Sequence, residues 1–130
     1  VEWGNFDSLA HVPYPLRYMM QRDGMDVDMA RYQSSIDSML RTLIRRGQAI
    51  EINAGKKPYI MPEYAYLLDR YRALGGRLIT VGTDAHSIPQ FGMGLKEAYM
   101  LALEKGFESV AVFKRRKCEL VSIRKLLALE

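Results

Sequence analysis

Leu78-Ile79-Thr80-Val81-Gly82-Thr83-Asp84-Ala85-His86 opens as a short apolar run and closes on a carboxylate and an imidazole two residues apart. Its apolar part, residues 78–82, reads as a buried strand. Residues 6–11, 49–53 and 109–113 read the same way. Helical spacing fills the stretches between. Ile36, Leu40, Leu43 and Ile44 recur three or four apart, so they share one helix face. A second helix is expected over 62–74, with Pro62 in its first turn, Tyr64, Leu67, Leu68 and Tyr71 as its stripe, and Gly75 ending it. A third is expected over 94–105, stopped by Gly106, and a short last one near Ser122.

Strand and helix in alternation predict an α/β fold of βα units with parallel strands, covered on both faces. Four such units are too few for a closed (β/α) barrel, which needs about 250 residues. The expected architecture is therefore a partial (β/α) barrel. Its two open sheet edges would call for the rest of a barrel or for a second copy of the chain. The opening Val1-Glu2-Trp3-Gly4-Asn5 leads at once into a strand-like run, as expected of a fragment or a processed product.

Composition narrows the class. The chain has 130 residues, 48% apolar and 26% charged, as in one ordinary globular domain. It holds neither an apolar run of bilayer length nor a basic-then-apolar leader, which argues against a membrane partner and against export. The single cysteine, Cys118, can form no disulfide within the chain and no cysteine-based zinc site, so a reducing, cytoplasmic setting is expected. The net charge of +4 gathers at Arg41, Arg45 and Arg46 and at Lys114-Arg115-Arg116-Lys117. Without interleaved aromatic residues these clusters read as solvated surface, which argues against nucleic acid as a partner.

The chemistry concentrates at strand ends, where parallel α/β folds build their sites. The only two histidines, His11 and His86, both follow strand-like runs. Asp84 and His86 occupy alternate positions, so on a strand both side chains project the same way. A carboxylate with an imidazole suits zinc, manganese or iron. The competing explanation is a helix cap, with Asp84 or Ser87 starting the helix that leads to Gly94. His11 alone reads equally as a hydrogen-bonded strand-end histidine. Glu51 and Asn53 alternate at the end of the run 49–53, where they line the same mouth or support a ligand. The alternative is an edge strand with one face in water.

Several of these segments resemble motifs of the PHP (polymerase and histidinol phosphatase) family. Ile79-Thr80-Val81-Gly82-Thr83-Asp84-Ala85-His86-Ser87 is similar to its last metal motif, and Phe6-Asp7-Ser8-Leu9-Ala10-His11 to the histidine motif before it. Arg17-Tyr18 falls where the histidinol-phosphatase branch carries Arg-Tyr. Glu51-Ile52-Asn53-Ala54 resembles a Glu-Ile-Asn segment, and Val110–Lys117 resembles that branch's terminal strand. The resemblance implies the C-terminal units of a distorted (βα)7 barrel over the whole of residues 1–130. It implies two or three divalent metal ions (zinc, manganese or iron) at the barrel mouth, with His11, Asp84 and His86 as ligands. Arg17, Glu51, Asn53 and Lys56 or Lys57 would contact a phosphorylated small-molecule substrate. The implied reaction is hydrolysis of a phosphate monoester, L-histidinol phosphate in this branch.

The resemblance also shows departures. The family's opening His-x-His, a middle Glu and another His have no counterpart here, so the segment alone is expected to be inactive and no residue is assigned to the chemical step. Val12-Pro13 stands where an acid often follows the histidine, and Gly92-Met93-Gly94 where Gly-Arg-Gly is expected. Two rivals stay open: another PHP phosphoesterase, such as a nuclease or nucleotide phosphatase, and a non-catalytic binding module with a decayed metal site.

Overall fold

The computed structural model describes residues 1, 3–54 and 62–129. Strand β1 (Ser8–Leu9) is followed by a helical turn, α1 (Tyr14–Leu16), that continues as a π-helix over Arg17–Arg22. A 3-10 turn (Met29–Tyr32) leads into α2 (Gln33–Arg45), then β2 (Ala49–Asn53), α3 (Glu63–Ala73) and β3 (Ile79–Gly82). A second 3-10 turn (Ile88–Gln90) precedes α4 (Leu95–Glu104), β4 (Ser109–Lys114), β5 (Lys117–Ser122) and α5 (Ile123–Leu126). Ser122 caps α5 by accepting from the Lys125 amide at 3.2 Å, so the last helix starts where expected.

Strands β1, β2 and β3 pair in parallel in that order, with Ser8 opposite Ala49 and Asn53 opposite Gly82. Side chains alternate across a sheet, so Leu9, Ile50, Ile52, Ile79 and Val81 share one face. Ile50, Ile52 and Ile79 are fully buried there, packed with Leu40 and Leu43 of α2, Leu67, Leu68 and Tyr71 of α3, and Ala98 and Ala102 of α4. Arg70 of α3 donates to both Asp37 oxygens on α2, at 3.0 and 2.5 Å, and ties the two helices together. That bond holds the Asp37 carboxyl below the usual carboxylate range.

The opposite face carries Ser8, Ala49, Glu51, Asn53, Thr80 and Gly82. Ser8 Oγ and Thr80 Oγ1 hydrogen-bond at 2.6 Å although β2 lies between their strands. Neighbouring strands sit about 4.8 Å apart, so a flat sheet would put β1 and β3 about 9.6 Å apart. Side chains as short as Ser and Thr meet over that distance only on a concave face. Gln48, 4% exposed, secures the approach to β1 by donating from Nε2 to the Gly4 and Phe6 carbonyls at 2.8 and 2.6 Å.

Three features differ from the sequence expectations. The fourth strand does not extend the parallel ladder: β4 lies against β3 but pairs antiparallel with β5. Arg115 and Arg116 form the two-residue turn between them, with φ of 50° and 65°. Tight hairpin turns of this kind normally announce themselves by Asn-Gly or Asp-Gly, a signal that Arg-Arg conceals. Second, β1 is two residues long, where a strand over 6–11 was expected, so His11 lies beyond it. Third, β2 is the central strand of the ladder, which overturns the alternative that put Glu51 and Asn53 on an edge strand.

Candidate functional site

At the carboxyl ends of β1, β2 and β3, Glu51 and Asn53 on β2 itself meet His11, and Asp84 and His86 lie just beyond β3. His11 lies two residues after β1 and adopts a left-handed backbone, φ 58°. Such a conformation is uncommon outside glycine and persists where surrounding contacts enforce it. Here the His11 amide donates to Glu51 Oε2 at 3.3 Å. Its ring nitrogen Nδ1 lies 3.0 Å from Asn53 Nδ2. Tyr14 meets the imidazole edge to face, centroids 5.4 Å apart. Glu51 and Asn53 thus both reach across from β2 to His11.

Gly82 makes room for this. A side-chain carbon there would collide with Glu51 Oε1, so glycine lets the carboxylate lie flat over β3. Tyr64 of α3 is buried and hydrogen-bonded to the Asn53 backbone; burial pushes its phenol well above the usual range, and that bond offsets part of the rise.

Asp84 also has a left-handed backbone, φ 48°, which short polar residues tolerate better than most. The strand has ended at Gly82, so strand alternation does not explain why Asp84 and His86 meet. The turn at Asp84 brings its Oδ1 to 3.2 Å from His86 Nε2. The His86 amide donates to Gln90 Oε1 at 2.9 Å, which fixes the turn from the far side. The helix-cap alternative is not what the fold uses. Ser87 makes no side-chain cap to the 3-10 turn, and the residue preceding α4 is Gly94. Gly94, φ 71°, packs so closely on Ala54 that an added carbon would meet its Cβ and carbonyl oxygen at 3.0 Å each. That contact seats the loop bearing Asp84 and His86 against the end of β2.

A carboxylate oxygen and an imidazole nitrogen 3.2 Å apart suit two ligands of one cation, each at about 2.1 Å. Their oxygen and nitrogen donors fit zinc, manganese or iron. Among the described residues no three His, Cys, Asp or Glu side chains converge on one metal position. His11 and the Asp84–His86 pair therefore form two separate groupings. Lys56 and Lys57 lie outside the described residues, as does the Arg17 side chain. Gln90, Tyr14 and the Ser8–Thr80 bond carried no sequence signal; each depends on contacts that only the fold creates.

The basic clusters behave differently. Arg116 pairs with Asp7 at 3.1 Å and Arg46 donates to the Val1 carbonyl at 3.1 Å. Both line a cavity of about 580 Å³ with Gln48 and Phe113, away from His11, Asp84 and His86.

The fold and these residues define an α/β unit with its polar groups at the carboxyl ends of parallel strands, where such folds bind ligands. No family model matches the chain. It is similar to proteins named as histidinol-phosphatases or probable histidinol-phosphatases. It is 33% identical to a probable histidinol-phosphatase of Clostridium acetobutylicum, over 84% of this chain and 43% of that protein. The probable histidinol-phosphatase of Thermotoga maritima is also 33% identical, over 82% and 44%. The histidinol-phosphatase of Lactococcus lactis is 30% identical, over 88% and 43%. The crystal structure of histidinol phosphate phosphatase from Lactococcus lactis, complexed with zinc, L-histidinol and phosphate, superposes with a TM-score of 0.68. It is 25% identical and matches 90% of this chain and 45% of that one. The chain spans less than half the length of the relatives it matches. Among the described residues no helix is long and apolar enough to cross a membrane.

Proposed function

We propose that residues 1–130 form the C-terminal part of a PHP phosphoesterase domain whose complete form hydrolyses L-histidinol phosphate to histidinol and phosphate. The observation that carries this reading is the gathering of Glu51 and Asn53 on β2 with His11, Asp84 and His86, which lie just beyond the carboxyl ends of β1 and β3. The curvature implied by the Ser8–Thr80 bond supports the further reading of these strands as part of a distorted (βα)7 barrel. The outer edges of β1 and β3 in one sheet, and of β4 and β5 in the other, have no ladder partner among the described strands, and the remainder of the barrel would pair beside β1.

In this reading Asp84 and His86 hold one divalent cation and His11 contributes to a second, within a set of two or three ions. A cation held there would neutralise the phosphate and lower the pKa of a coordinated water. Arg17 and one of Lys56 or Lys57 bind the phosphoryl oxygens, arginine as a bidentate fork and lysine as a point charge. Glu51 and Asn53 line the mouth on the same side. The free, exposed Cys118 supports a reducing, cytoplasmic setting.

The test is phosphate release by the complete domain with zinc, manganese or iron, on L-histidinol phosphate beside nucleoside monophosphates and sugar phosphates. Preference for L-histidinol phosphate is expected. Preference for a nucleotide would move the protein to another PHP activity, and no release on any substrate would favour a non-catalytic module.

A further inference from the structure

Gly82 has no conformational reason to be glycine. It ends β3 in extended strand backbone that any residue adopts, outside the left-handed region. Glycine inside a strand weakens it and often marks a place where another group comes close. Here that group is a carboxylate, since a side-chain carbon on Gly82 would collide with Glu51 Oε1. Thr80 stands directly opposite Glu51, and Gly82 opposite Asn53. The Glu51 side chain therefore leans diagonally, toward the carboxyl ends of the strands. Its other oxygen, Oε2, accepts from the His11 amide at 3.3 Å.

One carboxylate on the central strand thus touches both neighbours, the end of β3 and the turn after β1. His11 needs such support, because its left-handed backbone costs a non-glycine residue free energy unless contacts enforce it. Asp84 follows Gly82 by two residues, so the same contact lies at the root of the turn that carries Asp84 and His86.

We propose that Glu51 is a positioning residue and Gly82 its seat: the carboxylate, lying over Gly82, holds the His11 turn and so fixes the spacing between His11 and the Asp84–His86 pair. This rests on the reading of those three as metal-site residues. It assigns Glu51 a role that acts through His11, in addition to lining the mouth.

The test uses the complete domain as wild type, Gly82→Ala, Glu51→Ala, Glu51→Gln and the Gly82→Ala, Glu51→Ala double variant. Alanine at 82 meets only the far end of one side chain, so the unfolding midpoint should not fall. A lowered midpoint would mean that Gly82 serves the fold, and would overturn its role as a seat. The bond itself is read without metal, as exchange of the His11 amide hydrogen for solvent deuterium. Exchange should quicken about tenfold in Gly82→Ala and in Glu51→Ala, as for the loss of one charge-assisted hydrogen bond. The double variant should match Glu51→Ala, because no carboxylate is left to displace. Glu51→Gln keeps an acceptor oxygen in place and should retain most of the protection. Zinc affinity should follow the same order, falling about 10- to 100-fold in Gly82→Ala and Glu51→Ala.

Unchanged exchange in Gly82→Ala, additive effects in the double variant, or a Glu51→Gln as impaired as Glu51→Ala would each overturn the proposal. So would altered exchange with zinc affinity left at the wild-type value. A wild-type domain that binds no zinc would sink the metal reading instead, and the exchange rates would still decide whether Glu51 holds His11.

Discussion

The two faces of the β1–β2–β3 ladder are built on opposite principles. One face carries Ile50, Ile52 and Ile79, with essentially no exposure, pressed on three helices. The other carries Ser8, Glu51, Asn53 and Thr80, all partly accessible and hydrogen-bonded to one another or to His11. A single residue of register separates them, since alternate positions of one strand supply both. The apolar face holds the sheet together by non-directional burial, which tolerates small shifts. The polar face places particular atoms at particular distances. Stability and function should therefore separate by face, and substitutions can break or sharpen that division.

The largest effect is expected on the helix-packed face. Leu67→Ala removes a fully buried side chain of α3 and should cost about 2–5 kcal/mol in urea unfolding. Its effect on the metal and substrate affinity of the folded protein should be slight. Asp84→Ala is the counterpart on the site side. Phosphate release in the complete domain should fall about 100-fold or more, past the range typical of residues that only support a ligand, with little change in unfolding midpoint. If both substitutions lowered stability and activity in proportion, the division between faces would be lost.

The Asp37–Arg70 pair gives the apolar side a pH signature. The Asp37 carboxyl is depressed in the folded protein, so its contribution to stability is complete above its unfolded pKa and is lost as pH falls through the folded one. Denaturant midpoints should decline more steeply on acidification below about pH 4 in wild type than in Asp37→Asn. Parallel curves would remove the pair from the account. The smallest effect is expected from Ser8→Ala. Losing one partly exposed hydrogen bond should cost about 0.5–1.5 kcal/mol in the same unfolding assay. A larger loss would mean that the concave curvature itself depends on the Ser8–Thr80 bond.

Helices α2, α3, α4 and α5 were legible because their signals are local, whereas the helical segment over residues 14–22 was not anticipated. The stripe of Tyr64, Leu67, Leu68 and Tyr71 is a pattern of spacing, and all four residues are buried on α3. Gly106 and Ser122 marked boundaries for the same reason. The β4–β5 hairpin was not legible, because Arg115-Arg116 carries none of the chemistry that usually marks a tight turn. At the site, the sequence offered candidates but not the contacts that hold them. Asp84 and His86 meet through a left-handed turn, and His11 is held by residues 40 and 42 positions away in sequence. Long-range bonds of this kind leave no trace in local periodicity.

The most direct test of the central claim is the metal content of the complete domain, measured for wild type and for an Asp84→Ala, His86→Ala double variant. The account predicts bound zinc, manganese or iron in the wild type, with at least one ion lost in the folded variant. Equal metal content in both proteins, or none in either, would contradict it.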